Sequence, residues 1–70
     1  MDMRPVVSSN LASAGYDADM AVLRIQFLNG RIYEYLDVPP MVYEGLLNAR
    51  FKGSYFYRVV RFEYRQGRPQ

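Results

Sequence analysis

The segment from residue 23 to residue 36 constrains the fold more than any other part of the chain. Two runs of alternating apolar and polar residues meet there at Asn29-Gly30. An Asn-Gly pair between such runs is the strongest short-range signal for a β-hairpin, because both residues tolerate positive φ. The pattern predicts two antiparallel strands, over residues 21–28 and 31–36.

The length of the hairpin turn decides which face of the sheet carries Tyr33 and Tyr35. In a two-residue turn, Ile25 lies on one face of the sheet and both tyrosines lie on the other face. In a three-residue loop over residues 28–30, with Gly30 in the left-handed region of a bulge, Ile25 faces Tyr33 directly. A slip of one residue thus exchanges the two faces.

We favour the three-residue loop, because it gathers the large apolar side chains on one face and pairs Arg24 with Glu34 on the other. In this register Tyr33 and Tyr35 pack in the core with their hydroxyl groups near water. The alternative register would present the two rings as a stacking platform for bases.

Upstream of the hairpin, residues 10–17 form a weaker strand candidate, and residues 1–9 are interpreted as a loose lead-in. Small residues dominate the candidate, and Gly15 interrupts its alternation, which indicates a bulge or a close backbone approach. Asp17 and Asp19 then form the turn into the next strand. The three strands follow one another as an antiparallel meander.

A helix is predicted directly after the hairpin. Pro39-Pro40 ends the sheet, because proline cannot donate to a strand ladder and fits the first turn of a helix. Over residues 40–49, apolar residues recur at the three-and-four spacing of an amphipathic helix.

The last element, over residues 54–65, can be read as a strand or as a helix. Its tyrosines, phenylalanines and valines prefer strands. Helical periodicity sorts it better, because Arg58, Arg61 and Arg65 then share one face, opposite an apolar face. We therefore predict a second short helix, followed by a tail over residues 66–70 that should fray.

The predicted fold is α+β, a three-stranded antiparallel β-meander followed by two short helices packed on one face, in the order βββαα. It forms a single domain over residues 1–70, with its body at residues 8–65 and loose ends at residues 1–7 and 66–70. A domain of 70 residues buries little surface and is only marginally stable. The predicted core comprises Leu23, Ile25, Phe27, Tyr33, Tyr35, Val42, Leu46, Phe56 and Val60.

The composition argues against most catalytic chemistry. The chain has no cysteine and no histidine, which removes disulfides, thiolate zinc sites and the commonest general base. None of its serines can therefore have a histidine partner. Asp17 and Asp19 are read as turn formers rather than as ligands of a cation. We expect no enzyme, no metal, no cofactor and no small-molecule substrate.

The chain is predicted to be cytoplasmic, with no membrane as a partner. No apolar stretch is long enough to span a bilayer. The first residues lack the apolar core of a signal peptide.

The net charge of +2 hides a strong segregation of charge along the chain. Residues 1–49 carry three arginines against six acidic residues, whereas residues 50–70 carry six basic residues against Glu63 alone. Segregation of this kind is typical of an anion-binding surface, although a solvated basic face has the same pattern.

The first functional hypothesis is a non-catalytic module that binds nucleic acid, RNA or DNA, through the basic and aromatic C-terminal helix. Basic side chains would contact phosphates, and the aromatic side chains beside them would stack on unpaired bases. The predicted site comprises Arg31, Arg50, Lys52, Tyr55, Arg58, Arg61, Phe62 and Arg65. A charged outer face is also what any amphipathic helix presents to water.

The second hypothesis is a protein-interaction module, such as an adaptor, an inhibitor or a homodimer. With the tyrosines in the core, the opposite sheet face mixes apolar and charged side chains, as interfaces do. That face comprises Val22, Arg24, Ile32, Glu34 and Leu36. A free edge strand, the one over residues 10–17, would offer a second way to pair with another chain.

Taken together, the motifs resemble the KTSC domain over about residues 8–64. The matching string is L-x-I-x-F-x-N-G-x-x-Y-x-Y-x-x-V-P, followed by V-Y-x-x-L-x-x-A, by K-G-x-Y-F and by a late V-R. The residues that carry it are Leu23, Ile25, Phe27, Asn29, Gly30, Tyr33, Tyr35, Val38, Pro39, Val42, Tyr43, Leu46, Ala49, Lys52, Gly53, Tyr55, Phe56, Val60 and Arg61. The family takes its name from the C-terminus of some lysyl-tRNA synthetases and also occurs as small stand-alone bacterial and phage proteins. The resemblance implies this α+β architecture, and RNA binding is the activity suggested for it.

Two positions depart from the family pattern. Phe51 stands where a serine usually precedes the K-G pair, and Tyr57 stands where an asparagine usually follows the Y-F pair. Each change replaces a small polar side chain with an aromatic ring. A family function that depends on those polar groups would therefore differ in this chain.

Overall fold

Four antiparallel strands and two helical segments make up the structure, a computed structural model that describes residues 1–67. The strands are β1 (Met3–Pro5), β2 (Leu11–Asp17), β3 (Val22–Phe27) and β4 (Ile32–Tyr35), and they lie in the sheet in chain order. The helical segments are α1 (Pro40–Asn48) and α2 (Lys52–Tyr55), and α2 continues as a π-helical turn over Phe56–Val60. We call the continuous segment 52–60 the C-terminal helix. The predicted α+β fold is confirmed, but the sheet has one strand more than the predicted meander.

The hairpin adopts the three-residue loop that we favoured. Ile25 lies opposite Tyr33, as that register requires. The backbone N–H of Phe27 donates to the carbonyl oxygen of Arg31 at 2.8 Å, which closes the loop over residues 28–30. Gly30 has a φ of 90°, a conformation that favours glycine. The prediction that the tyrosines face the core is therefore confirmed.

The lead-in, predicted to be loose, contains β1 instead. Met3 pairs with Gly15 of β2, and a Cβ atom on Gly15 would lie only 2.9 Å from the backbone carbonyl oxygen of Asp2. The predicted close approach at Gly15 is thus confirmed, while the irregularity in the register of β2 lies between Leu11 and Ser13. A three-residue strand that ends in Pro5 has no alternation to detect, and this is why the sequence did not indicate it.

The beginning of the tail is also paired rather than frayed. The backbone N–H of Leu36 donates to the carbonyl oxygen of Arg65 at 2.8 Å. The backbone N–H of Gly67 donates to the carbonyl oxygen of Glu34 at 2.6 Å. Gln66 forms a β-bridge with Tyr35 between them. We call residues 65–67 the C-terminal strap, because they cover the open edge of β4. The remainder of the predicted tail, residues 68–70, lies outside the described residues.

The C-terminal helix confirms the helical interpretation of the last element, although its bounds differ from those predicted. It begins at Lys52 rather than at residue 54, and it ends at Val60 rather than at residue 65. The backbone N–H of Arg61 donates to the carbonyl oxygen of Phe56 at 3.0 Å, a spacing of five residues that widens the helix. The chain then turns, so the predicted helical face does not continue to Arg65.

The core lies between one face of the sheet, which we call the inner face, and the two helices. Phe56, only 1% exposed, contacts Phe27, Tyr35 and Tyr57 edge to face, each with a ring-centroid distance of 5.5 Å. Of the predicted core residues, Phe27 and Tyr33 are only half-buried. The buried apolar residues are Leu11, Ala14, Leu23, Ile25, Tyr35, Val38, Val42, Leu46, Phe56 and Val60.

Tyr55 joins the two helices. Its hydroxyl group donates to the carbonyl oxygen of Val42 at 3.0 Å. Its ring lies against Gly45, where a Cβ atom would come within 2.8 Å of the ring carbon that carries the hydroxyl group. A glycine in the middle of α1 thus lets the tyrosine approach the helix backbone.

Phe56→Ala should lower the free energy of unfolding by about 3–5 kcal/mol, because it removes the central ring of the core and leaves a cavity. Urea denaturation measures the change. Phe62→Ala is a matched control, since Phe62 is 81% exposed and its loss should change stability by no more than about 0.5 kcal/mol. Similar midpoints for Phe56→Ala and the wild type would contradict this packing.

Candidate nucleic-acid interface

A cleft of about 390 Å³ lies between the loop end of the β3–β4 hairpin and the C-terminal helix. We call it the hairpin cleft. Its lining residues are Phe27, Asn29, Arg31, Tyr33, Tyr35, Phe56, Tyr57, Arg61 and Gln66. None of these residues is acidic, and Arg31 and Arg61 are both exposed to solvent. The cleft therefore combines positive charge with aromatic walls.

The guanidinium group of Arg61 is held by neighbouring rings. Its central carbon lies 5.0 Å from the ring centroid of Tyr57 and 5.3 Å from that of Phe62. Cation–π contacts of this kind orient a guanidinium group without neutralising its charge. Within residues 1–67 the structure has one ion pair, between Arg24 and Glu34, so Arg61 keeps its charge for another partner.

Tyr35 forms the floor of the hairpin cleft, and its hydroxyl group stays neutral at physiological pH. Burial raises the pKa of Tyr35, and the nearby positive charge of Arg61 offsets only part of this effect. Burial is also the main cause of the raised pKa values of Tyr16 and Tyr55.

These raised pKa values predict that the fold loses stability in alkali. The unfolded chain releases tyrosine protons near pH 10, whereas the folded chain holds them to higher pH. The unfolded state then binds fewer protons, so the free energy of unfolding falls as the pH rises above about 10. Urea denaturation at neutral and alkaline pH measures this fall, and Tyr35→Phe should make it smaller. A fall of the same size in Tyr35→Phe and the wild type would contradict the assignment to Tyr35.

The predicted arginine stripe does not form a single surface. Arg61 lines the hairpin cleft, whereas Arg58 lines a second cavity and Arg65 belongs to the C-terminal strap. The reason is the π-helical turn and the end of the helix at Val60, which break the 3.6-residue periodicity on which the prediction depended. Basic residues at the C-terminal end of the chain are therefore divided between two cavities.

The second cavity has a volume of about 530 Å³ and lies between the loop at residues 8–10 and the beginning of the C-terminal helix. We call it the loop groove. The hydroxyl oxygen of Ser8 accepts the backbone N–H groups of Asn10 and Leu11 at 3.1 and 3.2 Å, which fixes the shape of this loop. The basic residues that line the groove are Arg50, Lys52 and Arg58.

The other predicted site residues have structural surroundings of different kinds. Tyr55 is half-buried against α1, so little of its ring is available for stacking. The ammonium group of Lys52 donates to the carbonyl oxygen of Ala49 at 2.7 Å. Phe62 is exposed beside Arg61. The prediction did not include Tyr57, which lines both cavities, although the sequence marked it as a departure from the family pattern.

A third groove, of about 680 Å³, runs between β1 and α1, but its chemistry is mixed. Glu44 lines it together with Arg4 and Lys52. The ring of Tyr16 stacks on that of Tyr43 at a centroid distance of 5.3 Å, and its hydroxyl group donates to the Val38 carbonyl oxygen. These tyrosines bind β2 to α1, so we assign them a structural role.

The predicted protein-interaction surface lies on the outer face of the sheet, opposite the helices. Its residues Val22, Arg24, Ile32, Glu34 and Leu36 are all partly exposed. Arg24 donates to a Glu34 carboxylate oxygen at 2.6 Å, so the two charges on this face satisfy each other.

The edge-strand alternative needs a correction. The strand that we expected to be free, β2, is covered by β1 on one side and by β3 on the other. The opposite edge of the sheet, β4, is covered by the C-terminal strap. The edge strand on the other side is β1, and a strand of three residues that ends in proline is poorly suited to pair with another chain.

Two absences apply to the part of the chain that the structure describes. Across residues 1–67, no group of three or more acidic side chains comes together in a way that could hold a metal ion. In the same range, no helix is both long and apolar enough to cross a membrane.

These features define a class of protein, a small antiparallel α+β domain with basic cavities between its hairpin, its N-terminal loop and its C-terminal helix. The sequence model of the KTSC domain matches residues 7–64. The chain therefore belongs to the KTSC domain family, as its motifs predicted. A crystal structure of a KTSC domain protein from Yersinia pestis has the same fold, with a TM-score of 0.89 and 35% identity, over 96% of this chain and 94% of that one.

The relatives are of two kinds. A protein of Tsukamurella paurometabola is 38% identical over 63 residues, which are 90% of this chain and 94% of that protein. An uncharacterized protein of Stutzerimonas stutzeri is 41% identical over 54 residues, 77% of this chain and 76% of its own. A lysine–tRNA ligase of Nostoc punctiforme is 38% identical over 50 residues, which are 71% of this chain but 9% of the ligase. The chain is thus similar to one small segment of that enzyme.

Proposed function

We propose that the chain binds single-stranded nucleic acid, and RNA in particular, through the hairpin cleft. The convergence of two distant arginines on one tyrosine-walled cleft supports this most directly. Arg31 comes from the hairpin and Arg61 from the end of the C-terminal helix. Their charges attract phosphates, and none of the cleft's described lining residues is acidic to oppose them.

Unpaired bases suit this surface better than a duplex does. Tyr57, which is 41% exposed, and the half-buried Tyr33 give the cleft aromatic walls. Aromatic rings and arginine planes stack on bases that have left a helix, and every base offers such a face. Binding should therefore have little dependence on base sequence.

Similarity to the ligase segment favours RNA over DNA. A lysine–tRNA ligase acts on an RNA, and 71% of this chain aligns with part of one. The similarity covers 9% of the ligase, so it says nothing of aminoacylation by this chain. It supports a binding role for a module that the two proteins share.

Arg31→Gln and Arg61→Gln should each weaken binding to a short single-stranded RNA. Each should also lower the slope of log affinity against log salt by roughly 0.7, because each removes one phosphate contact to a single strand. Fluorescence anisotropy with a labelled oligonucleotide, at several salt concentrations, measures both quantities. A matched duplex should bind more weakly.

Arg4→Gln is the control for net charge. It removes the same charge from β1, at the end of the sheet opposite β4. We expect it to leave the salt slope unchanged. An equal effect of Arg4→Gln would indicate attraction by net charge alone, and a wild-type chain that binds no RNA at low salt would refute the proposal.

A second candidate function is association through the outer face of the sheet, either with a protein partner or with a second copy. The apolar side chains of Val22, Ile32 and Leu36 on this face are partly exposed, which favours such an interface. The charges of Arg24 and Glu34 on the same face already pair with each other, so a partner would not have to neutralise them. If the chain forms a homodimer in this way, Ile32→Ser should convert it to a monomer in sedimentation velocity and leave RNA binding unchanged. A monomeric wild-type chain would exclude the homodimer.

A further inference from the structure

The two residues that depart from the family pattern line the same cavity. Each is an aromatic residue where the family usually has a small polar one. Phe51 is 69% exposed and Tyr57 is 41% exposed, and both belong to the loop groove. They are six positions apart in sequence, on either side of the first turn of the C-terminal helix. The groove therefore has two aromatic rings that remain accessible to a flat ligand.

Three cations, Arg50, Lys52 and Arg58, line the same groove as these rings. The guanidinium group of Arg50 lies 5.5 Å from the ring centroid of Phe51, and Arg58 directly follows Tyr57. The ammonium group of Lys52 already donates to a backbone carbonyl group, so the two arginines are the main donors for a ligand. Among the described residues that line the groove, none is acidic.

The opposite wall is the loop at residues 8–10, whose shape is fixed by hydrogen bonds. Ser8 accepts two backbone N–H groups through its hydroxyl oxygen, which leaves the hydroxyl proton free to donate. The carbonyl oxygen of Asn10 accepts the N–H of Leu28 at 2.9 Å, which ties this loop to the hairpin. Gly53 lies next to Asn10 across the groove: a Cβ atom on Gly53 would be 3.5 Å from the side-chain nitrogen of Asn10, an ordinary contact distance.

We propose that the loop groove binds one nucleotide, with its base stacked on Phe51 and Tyr57 and its phosphate held by Arg50 and Arg58. Stacking needs exposed rings, and phosphate binding needs guanidinium groups without acidic neighbours, and the groove supplies both. The same chemistry belongs to a free nucleotide and to one residue of a strand. In the second case the inference rests on the proposed function, and the strand would cross Tyr57, which lines both cavities.

The test compares the wild-type chain with the single variant Phe51→Ser and with the double variant Phe51→Ser/Tyr57→Asn. Phe51 lines the loop groove but not the hairpin cleft, so the single variant leaves the hairpin cleft intact. The probes are a short single-stranded RNA that contains 2-aminopurine and free adenosine monophosphate. Stacking on an aromatic ring quenches 2-aminopurine fluorescence, so the wild-type chain should quench it and the double variant should not. The affinity of the double variant for the RNA should fall at least about fivefold. Free nucleotide binding is measured by chemical shifts of the protein.

Two further variants separate the contributions. Arg58→Gln should weaken binding but keep the quenching, because it removes a phosphate donor and leaves both rings in place. Met41→Ser removes an exposed apolar side chain from α1 and should change neither quantity. Because Phe51 and Tyr57 are exposed, the double variant should keep the circular dichroism spectrum of the folded chain.

The outcomes distinguish this inference from the proposed function. RNA binding that survives Phe51→Ser with unchanged affinity and quenching, but is lost in Arg61→Gln, would overturn the inference and leave the proposed function intact. Binding of adenosine monophosphate without binding of RNA would support a free nucleotide as the ligand and refute the proposed function. Binding of neither probe by the wild-type chain would overturn both.

Discussion

The register of β3 against β4 is the constraint on which the rest of the structure depends. It is set by the loop at residues 28–30, where Gly30 has a positive φ. In this register Tyr35 faces the helices and contacts Phe56, while Glu34 faces outward and pairs with Arg24. A slip of one residue would bring a carboxylate to the inner face without a partner, at a large cost in free energy. The same register brings Arg31 to the hairpin cleft.

Local patterns predicted the parts of the fold that local interactions determine. The Asn-Gly turn, the alternation around it and the proline before α1 each depend on a few neighbouring residues. The two short pairings at the sheet edges, by β1 and by the C-terminal strap, depend on distant residues such as Gly15 and Leu36. Segments of three residues carry no periodicity, so no pattern in the sequence distinguished them from loose ends.

The candidate site could be predicted as a set of residue types but not as a surface. The sequence indicated the cations, because they are concentrated after residue 49. It did not indicate that they divide between two cavities, because this follows from the π-helical turn and the early end of the helix. The predicted site also omitted Tyr57. Sequence pattern alone does not distinguish an aromatic residue that packs in the core from one that binds a ligand.

The central claim is that the hairpin register and the C-terminal helix together make a cleft that binds a single strand. Titration of the isotope-labelled chain with a short single-stranded RNA, followed by the backbone amide signals in NMR spectra, tests it most directly. The account predicts the largest shifts at Arg31, Tyr57 and Arg61, with little change at Val22 and Arg24 on the outer face. Shifts confined to the outer face would contradict it and would favour that face as the binding surface.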